Sequence, residues 1–376
     1  MSKESLDKLR SKIEDLDTAL LRLLNERAVV SSQIGRLKAE NGLNIYDHHR
    51  EESIFRSLAE QNQGPLKDSE VNKIFYEIIS VSRQVQADMA GGGPETQVTS
   101  DTGVLSGNTS VYGILGNPVG HSMSPRMHNA AFRFLGIDAI YIPFEVEDLQ
   151  GALSGMKALG IKGASVTIPF KTEIFGLIDE IDDTAERIGA VNTLVFGEDR
   201  IRGTNTDWIG AVRCLETMLP IEGHRFVVMG TGGAARAVLY GVVSRGGEAI
   251  VAGRSEEKGH KLAKEFDCSF VPLSEIESAH GDCLVNTTPV GMHPEEDQMP
   301  VPARILGAYK AVADVIYNPL KTKLFREAEA AGCMVASGFE MFVFQGAEQF
   351  HIWTKQEAPV ELMRSVVLEK LTSKKE

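Results

Sequence analysis

Residues Arg225–Arg254 read RFVVMGTGGAARAVLYGVVSRGGEAIVAGR, and this stretch decides the fold of the larger part of the chain. An apolar run stops at Gly230, Thr231-Gly232-Gly233-Ala234 opens a helical pattern, and a second apolar run ends about 24 residues after the first. Strand, glycine turn, helix and strand in this order make a mononucleotide-binding βαβ unit. Its glycines let the backbone approach a pyrophosphate at a helix N-terminus, where free amides and the helix dipole favour an anion. After the second strand a free ribose hydroxyl is usually met by Asp or Glu. This chain offers Gly253, Arg254 and Ser255, and a guanidinium with a hydroxyl suits a 2′-phosphate. The expected cofactor is therefore NADP(H) rather than NAD.

Outward from this unit the texture stays the same. VYGILG, AIYIPFEV, ASVTIP and NTLVF precede it and CLVNTT and AVADVIY follow, alternating with helical patterns from Val111 onward. That alternation predicts an α/β module of parallel sheets covered by helices. In its first half, GNPVGHSMSPRMHNAAF sets Ser122 and Ser124 in a loop before a helix, with Pro125 suited to the first helical position. Serines in such loops are commonly helix caps. VTIPFK puts Lys171 just after a strand, GAVNTL puts Asn192 at the start of one, and GTNTDWIG puts Asp207 at the head of a helix.

These motifs, in this order, resemble shikimate dehydrogenases over residues 111–371. NTTPVGM (Asn286–Met292), DVIYNPLKTKL (Asp314–Leu324) and GFEMFVFQGAEQF (Gly338–Phe350) extend the likeness. The resemblance implies a two-lobed enzyme that reversibly reduces 3-dehydroshikimate with NADPH. It places Ser122 and Ser124 on the substrate carboxylate and Thr167, Lys171, Asn192, Asp207 and Gln345 around its hydroxyls, with Tyr317 reaching in from the cofactor side. Lys171 would be the acid/base that passes a proton to the alkoxide left by hydride transfer, and Asp207 its partner; a structural ion pair is the alternative. The cofactor would lie along Gly230, Gly232, Gly233, Ala234, Gly253, Arg254 and Ser255, with Asn286, Thr287, Thr288, Val315 and Gly338 completing the site. The family usually carries Asn-Arg-Thr where this chain has Gly253-Arg254-Ser255, so one side-chain contact to the adenosine phosphate is missing. The two serines favour shikimate over the bulkier quinate; an NAD-dependent quinate dehydrogenase is the alternative reading.

The first 90 residues are of another kind. Leu6, Leu9, Ile13, Leu16, Leu20, Leu23, Val30, Ile34 and Leu37 alternate spacings of three and four, the seam of one long amphipathic helix. Spanning Ser5 to Glu40, it would be about 54 Å long, whereas a 90-residue domain has a radius of gyration of about 12 Å. A second copy is needed to cover it, so an intertwined helical homodimer is expected. Arg27 interrupts the seam, and a buried guanidinium requires an anion: an internal Glu such as Glu51, or a ligand. Lys38 lies three turns further on the same face, while Arg10 points about 100° away, toward a different site. Two more helices are expected, around Asp47–Gln61 and Ser69–Met89, their pairs Asp47/Glu51 and Ser82/Gln86 each facing one way.

Arg10, Arg27, Lys38, Asp47, Arg50, Glu51, Ser82 and Gln86 on three helices resemble the all-helical chorismate mutase family over residues 4–88. The resemblance implies that Arg27, Arg50 and Ser82, with Arg10 of the partner chain, hold two carboxylates. Lys38 and Gln86 would reach the ether oxygen, and Asp47 and Glu51 the hydroxyl end. Such a rearrangement needs only a compact conformer and cations where charge accumulates.

Gly91–Ser110, GGGPETQVTSDTGVLSGNTS, lacks Lys and Arg and reads as a flexible linker spanning roughly 25 Å. The expected organisation is thus a mutase domain at 1–90, a linker at 91–110, a catalytic lobe at 111–209, a Rossmann lobe at 210–340 and C-terminal helices at 341–376 returning to the catalytic lobe. A net charge of −13 argues against nucleic acid as a partner. Without an apolar span or a signal peptide the expected location is cytoplasmic, with no membrane partner. Cys214, Cys268, Cys283 and Cys333 are far apart and read as reduced packing residues. His48, His49, His121 and His128 lack ligand spacing, so no metal is expected. Because the two reactions are not consecutive, a regulatory chorismate or prephenate sensor on a dehydrogenase is the competing reading of the helical part.

Overall fold

The computed structural model describes residues 3–41, 48–89 and 105–372; Asp47, the side chains of His48 and His49, and residues 90–104 of the expected linker lie outside them. The chain forms two compact units, residues 1–105 with 132–137 and residues 106–131 with 138–376.

The helical unit contains α1 (Lys3–Glu40), α2 (His48–Gln61) and α3 (Asp68–Met89), as the apolar spacings predict. α1 crosses α3 at close range. A Cβ at Gly35 would lie 2.7 Å from Gln86 Cα, so only glycine allows this approach. Phe55, Tyr76 and Ile79 are buried, with the two rings 4.2 Å apart between centroids. Among the described residues the heptad seam is not covered: Leu9, Ile13, Leu16, Leu20 and Leu23 remain 52–57% exposed.

In the second unit, β1 (Ser110–Gly116), β2 (Ala139–Glu145), β3 (Gly163–Val166), β4 (Glu180–Ile181), β5 (Thr193–Phe196) and β6 (Ile201–Thr204) form one sheet in the order β2-β1-β3-β5-β6-β4. Helices α4 (Ser124–Leu135), α5 (Leu149–Ala158) and α6 (Asp183–Ile188) lie between its strands in the chain. This sheet departs from the expected parallel arrangement. β5 runs antiparallel to both β3 and β6; between β5 and β6 the connection from Phe196 to Ile201 is too short for a parallel crossover.

α7 (Asp207–Glu216) leads into the second sheet. It comprises β7 (Arg225–Met229), β8 (Glu248–Gly253), β9 (Ser269–Pro272), β10 (Cys283–Asn286), β11 (Ala311–Asp314) and β12 (Met334–Ser337) in the order β12-β11-β10-β7-β8-β9. All its pairings are parallel, which is the doubly wound order with its switch point between β7 and β10. α8 (Gly233–Ser244), α9 (Glu256–Glu265) and α10 (Lys323–Ala330) belong to this lobe. Phe226, Val228, Leu239 and Val251 are fully buried, as expected of a sheet covered on both faces. The four cysteines are free thiols; burial pushes the Cys214 and Cys268 thiols up, to about 12 and about 11. α11 (Gly338–Thr354) and α12 (Val360–Thr372) close the chain, and α11 packs against α7. No helix among the described residues is long and apolar enough to cross a membrane.

Candidate functional sites

The dehydrogenase-like site gathers where β3, β5, α7 and α11 converge. Lys171 Nζ lies 2.5 Å from Asp207 Oδ2, their side chains 19% and 6% exposed. Asp207 heads α7, and its Oδ1 accepts from Asn192 Nδ2 at 2.8 Å. The same amide nitrogen reaches Thr206 Oγ1 at 3.0 Å and Gln345 Oε1 at 3.4 Å. Asn192 is oriented in turn, its Oδ1 accepting from Thr206 N at 2.8 Å and Thr193 Oγ1 at 2.7 Å. Lys171, Asn192, Asp207 and Gln345, distant in sequence, thus form one cluster. Thr167 directly follows β3, its N–H donating to Leu115 O at 2.9 Å.

A second group forms at the start of α4. Ser124, almost fully buried, donates its N–H to Ser122 Oγ at 3.2 Å. Because that oxygen already accepts, the Ser122 hydroxyl proton is left to donate elsewhere. The Tyr317 hydroxyl meets the Met123 backbone between the two serines, and its ring stacks on Phe342 at 4.5 Å. A buried chain of hydroxyls and amides joins the two groups. The Tyr141 hydroxyl meets Ser124 and donates to Ser165 Oγ at 2.6 Å, and Ser165 donates to Gln349 Oε1 at 2.8 Å. Gln349 Nε2 then donates to Asn192 O and Thr193 Oγ1, both at 3.0 Å. His128 stacks on Tyr141 at 4.5 Å, and complete burial lowers its pKa to about 3, so it is neutral at physiological pH.

The nucleotide-binding turn takes the predicted form. Gly230 has φ +121, a conformation that L side chains rarely adopt, and a Cβ there would lie 2.5 Å from Thr287 Oγ1. Gly232 is the N-cap of α8 and supplies no side-chain cap, so the first amides of the helix stay open to a ligand. Open space lies on the Cβ side of Gly232, while a Cβ at Gly233 would come 3.3 Å from Lys171 Cβ. The turn therefore lies next to the lysine. Arg254 is exposed beyond β8 and, among the described residues, makes no hydrogen bond or ion pair. Ser255 caps α9 through Lys258 N at 3.4 Å. Asn286, Thr287 and Thr288 use their side chains internally, on Asp314, Met229 O and one another. Gly338 packs on the Val315 carbonyl. An open helix N-terminus, a glycine turn and an unengaged guanidinium at the end of β8 fit a dinucleotide carrying a 2′-phosphate.

In the helical unit, Arg27 Nη1 donates to Ser82 Oγ, and to Ile78 O at 3.3 Å. Burial lowers the Arg27 pKa, and nearby Glu51 opposes that shift. Gln86 Oε1 is buried with no hydrogen-bond partner among the described residues, an orphaned acceptor one turn from Ser82. Lys38 is half-buried on α1 and Arg50 is exposed on α2. Arg10 is exposed and, among the described residues, pairs only with Asp7, at 3.4 Å. Arg83 Nε stands 3.8 Å from Glu51 Oε1, both side chains 12% exposed.

The sequence reading missed Arg83, Gly35, Tyr141, Ser165, Asn205, Asp314 and Gln349. Three of these carried a signal. Gly35 interrupts an otherwise strong helical pattern, Gln349 repeats Gln345 one turn later in an apolar helix, and Asn205 stands two residues before Asp207, whose N–H donates to its Oδ1 at 2.9 Å.

Comparison with known proteins agrees with both halves. Residues 114–194 match the shikimate dehydrogenase substrate binding domain and 338–368 the shikimate 5'-dehydrogenase C-terminal domain. Residues 9–87 match chorismate mutase type II. Shikimate dehydrogenase (NADP(+)) of Methanothermobacter thermautotrophicus is 43% identical over 276 residues, covering 70% of this chain and 98% of that protein. The crystal structure of a chorismate mutase/shikimate 5-dehydrogenase fusion protein from Clostridium acetobutylicum is 35% identical with a TM-score of 0.67, over 70% of this chain and 99% of that one. Shikimate 5-dehydrogenase from Thermus thermophilus, solved with NADP(H) and shikimate, is 34% identical with a TM-score of 0.64, over 69% of this chain and 99% of that one. The chain belongs to the shikimate dehydrogenase family and carries a type II chorismate mutase domain ahead of the dehydrogenase on the same polypeptide.

Proposed function

We propose that this protein is a bifunctional enzyme of aromatic amino-acid biosynthesis, rearranging chorismate to prephenate and reversibly reducing 3-dehydroshikimate to shikimate with NADP(H). The observation that carries the dehydrogenase reading is the Lys171–Asp207 pair at 2.5 Å, buried beside Asn192 and next to the nucleotide turn. NADPH, when bound, supplies the hydride. Lys171 gives its proton to the oxygen of the former ketone and recovers it in the reverse direction, while Asp207, fixed by Asn192, keeps the ammonium aimed into the cleft. Ser122 and Ser124 receive the carboxylate, Thr167, Asn192 and Gln345 the ring hydroxyls, and Tyr317 closes the side facing the cofactor. The glycine turn takes the pyrophosphate and Arg254 the 2′-phosphate.

In the mutase domain the reaction is unimolecular, so the side chains supply charge and shape rather than proton transfer. Arg27, Arg50 and Ser82 hold carboxylates, Lys38 and Gln86 face the ether oxygen, and Asp47 and Glu51 the hydroxyl. The buried Gln86 Oε1 without a partner supports a polar ligand there. With the amide oxygen as placed, that ligand contact requires the neighbouring Nε2 or a protonated group. Arg10 belongs to the pocket of a second copy, and the uncovered α1 seam supports a homodimer: burying each leucine contributes about 1.5–3 kcal/mol. On this reading the chain comprises a mutase domain at 1–90, a linker at 91–110, a catalytic lobe at 111–209, a Rossmann lobe at 210–340 and C-terminal helices at 341–376, and the protein is cytoplasmic.

The test separates the two activities in the full-length protein. Arg27→Ala should abolish chorismate consumption while keeping shikimate-dependent NADP+ reduction. Lys171→Ala should do the reverse, lowering kcat of the dehydrogenase by about 10²–10⁴-fold. Loss of both activities in either variant, or of neither, would defeat the assignment.

A further inference from the structure

Arg236 lies on α8, one turn beyond the nucleotide-binding glycines, and takes no part in the chemistry described above. Its side chain is 18% exposed and paired with Glu265 at the end of α9. It also leaves its own lobe: Nε donates to Ile188 O at 2.5 Å, the last residue of α6 in the other sheet's lobe. The fit is close. Gly189 turns the chain there at φ +68, and a Cβ on it would lie 2.8 Å from Arg236 Nε and 2.9 Å from Cζ. Around this bond Ile188, Ala190 and Ala237 are fully buried against one another, with Trp208 and Tyr240 packed on them.

The segment that Arg236 grips is the one that carries Asn192, and it is bonded at nearly every step. Asn205 Nδ2 donates to Ala190 O at 2.8 Å. Val191 N donates to Lys171 O at 2.8 Å, and Asn192 N to Thr204 O at 3.1 Å. A shift of Ile188 must therefore reach the Lys171 main chain and Asn192, because no link between them is slack. At the other end, the guanidinium stem rises from the same helix whose first amides face the pyrophosphate.

We propose that Arg236 is a positioning residue coupling the two ligands. By tying the start of α8 to the 188–192 segment, it makes cofactor binding at the glycine turn favour the arrangement of Lys171 and Asn192 that binds substrate. This rests on the function proposed above, and reciprocity requires the substrate to tighten the cofactor by the same factor.

The experiment is titration calorimetry on the full-length protein with NADPH and shikimate, both reduced, so that no hydride transfers. In the parent protein saturating NADPH should tighten shikimate by at least about fivefold. In Arg236→Lys, which keeps the charge facing Glu265 but loses the bond from Nε, that ratio should fall to about 1, with each ligand alone binding within about twofold of the parent. Should Arg236→Lys not fold, Gly189→Ala, which crowds the guanidinium from the other side, must lower the same ratio. A parent ratio of 1, or a variant that keeps the parent ratio, overturns the coupling. A parent protein that binds no shikimate overturns the substrate assignment instead, so the two failures are distinguishable.

Discussion

Replacing Asp314 with Asn should stabilise the dehydrogenase unit, and by more at alkaline than at acid pH. Asp314 ends β11 and is 3% exposed. Its Oδ1 accepts from Asn286 Nδ2 and Ile316 N, each at 3.1 Å, and its Oδ2 from Thr322 Oγ1 at 2.7 Å. These neutral donors do not offset the cost of burial, which raises the carboxyl from 3.8 to about 6. Between those values the folded protein holds a proton that the unfolded chain has released, so stability falls as pH rises through the window. The cost is about 3 kcal/mol above pH 7 and about half that at pH 5. Asn has the same shape: its oxygen keeps the Asn286 and Ile316 donors, and its NH₂ donates to Thr322 Oγ1 once that hydroxyl turns its proton away. Urea unfolding followed by tryptophan fluorescence reads the right unit, because Trp208 and Trp353 are the two tryptophans and both lie in it. Asp314→Asn should gain about 2–3 kcal/mol at pH 8 and about half as much at pH 5. A gain that does not change with pH would refute the reasoning.

Gly35→Ala places a methyl where Gln86 backbone already stands, and should cost the helical unit about 1–3 kcal/mol. Chorismate turnover and the thermal melt of helicity should both suffer while dehydrogenase kcat is unchanged; a fully active mutase would show that α1 and α3 are not held at this distance. Leu16→Lys with Leu20→Lys should convert a dimer into a monomer in sedimentation equilibrium, since both leucines sit on the uncovered seam. A dimer that persists would move the interface elsewhere.

What was legible in the sequence depended on how local its cause is. The nucleotide turn was readable because its glycines stand within a few residues of one another, Gly230 at a positive φ and Gly232 and Gly233 opening α8. α1 was readable from its spacing, as was the seam of apolar side chains that stays exposed along it. The antiparallel β5 was not, since a short apolar run carries no sign of direction; only the brief Phe196–Ile201 connection hints at it. The long-range network was harder still. Tyr141, Ser165 and Gln349 lie on three separate elements, and in sequence each looks like an ordinary residue of an apolar strand or helix. α11 shows why. Gln345, Gln349 and Trp353, spaced four apart, donate or accept along Asn192, Thr193 and Leu194 in turn, Trp353 Nε1 reaching Leu194 O at 2.9 Å. A helix face aligned with the start of a strand is visible only when both are placed.

The two sites meet the same electrostatic problem in different ways. Both ligands are anionic and the chain carries a net charge of −13, but charges more than about 8 Å away are screened at physiological salt. Local cations therefore decide binding, and their exposure decides how salt affects it. Arg254 is exposed, so in the proposed role any attraction it exerts on a 2′-phosphate would act through water and counterions. Arg27 is partly buried and its pKa is lowered by desolvation, so in the proposed role its hold on a carboxylate would be shielded from them. Raising salt from about 0.05 to about 0.5 M should therefore increase the KM for NADP+ severalfold more than the KM for chorismate, with the NADP+ effect largely lost in Arg254→Leu. Equal sensitivity of the two KM values would mean that Arg27 meets its ligand in open solvent, and that the burial seen on α1 is not the state that binds chorismate.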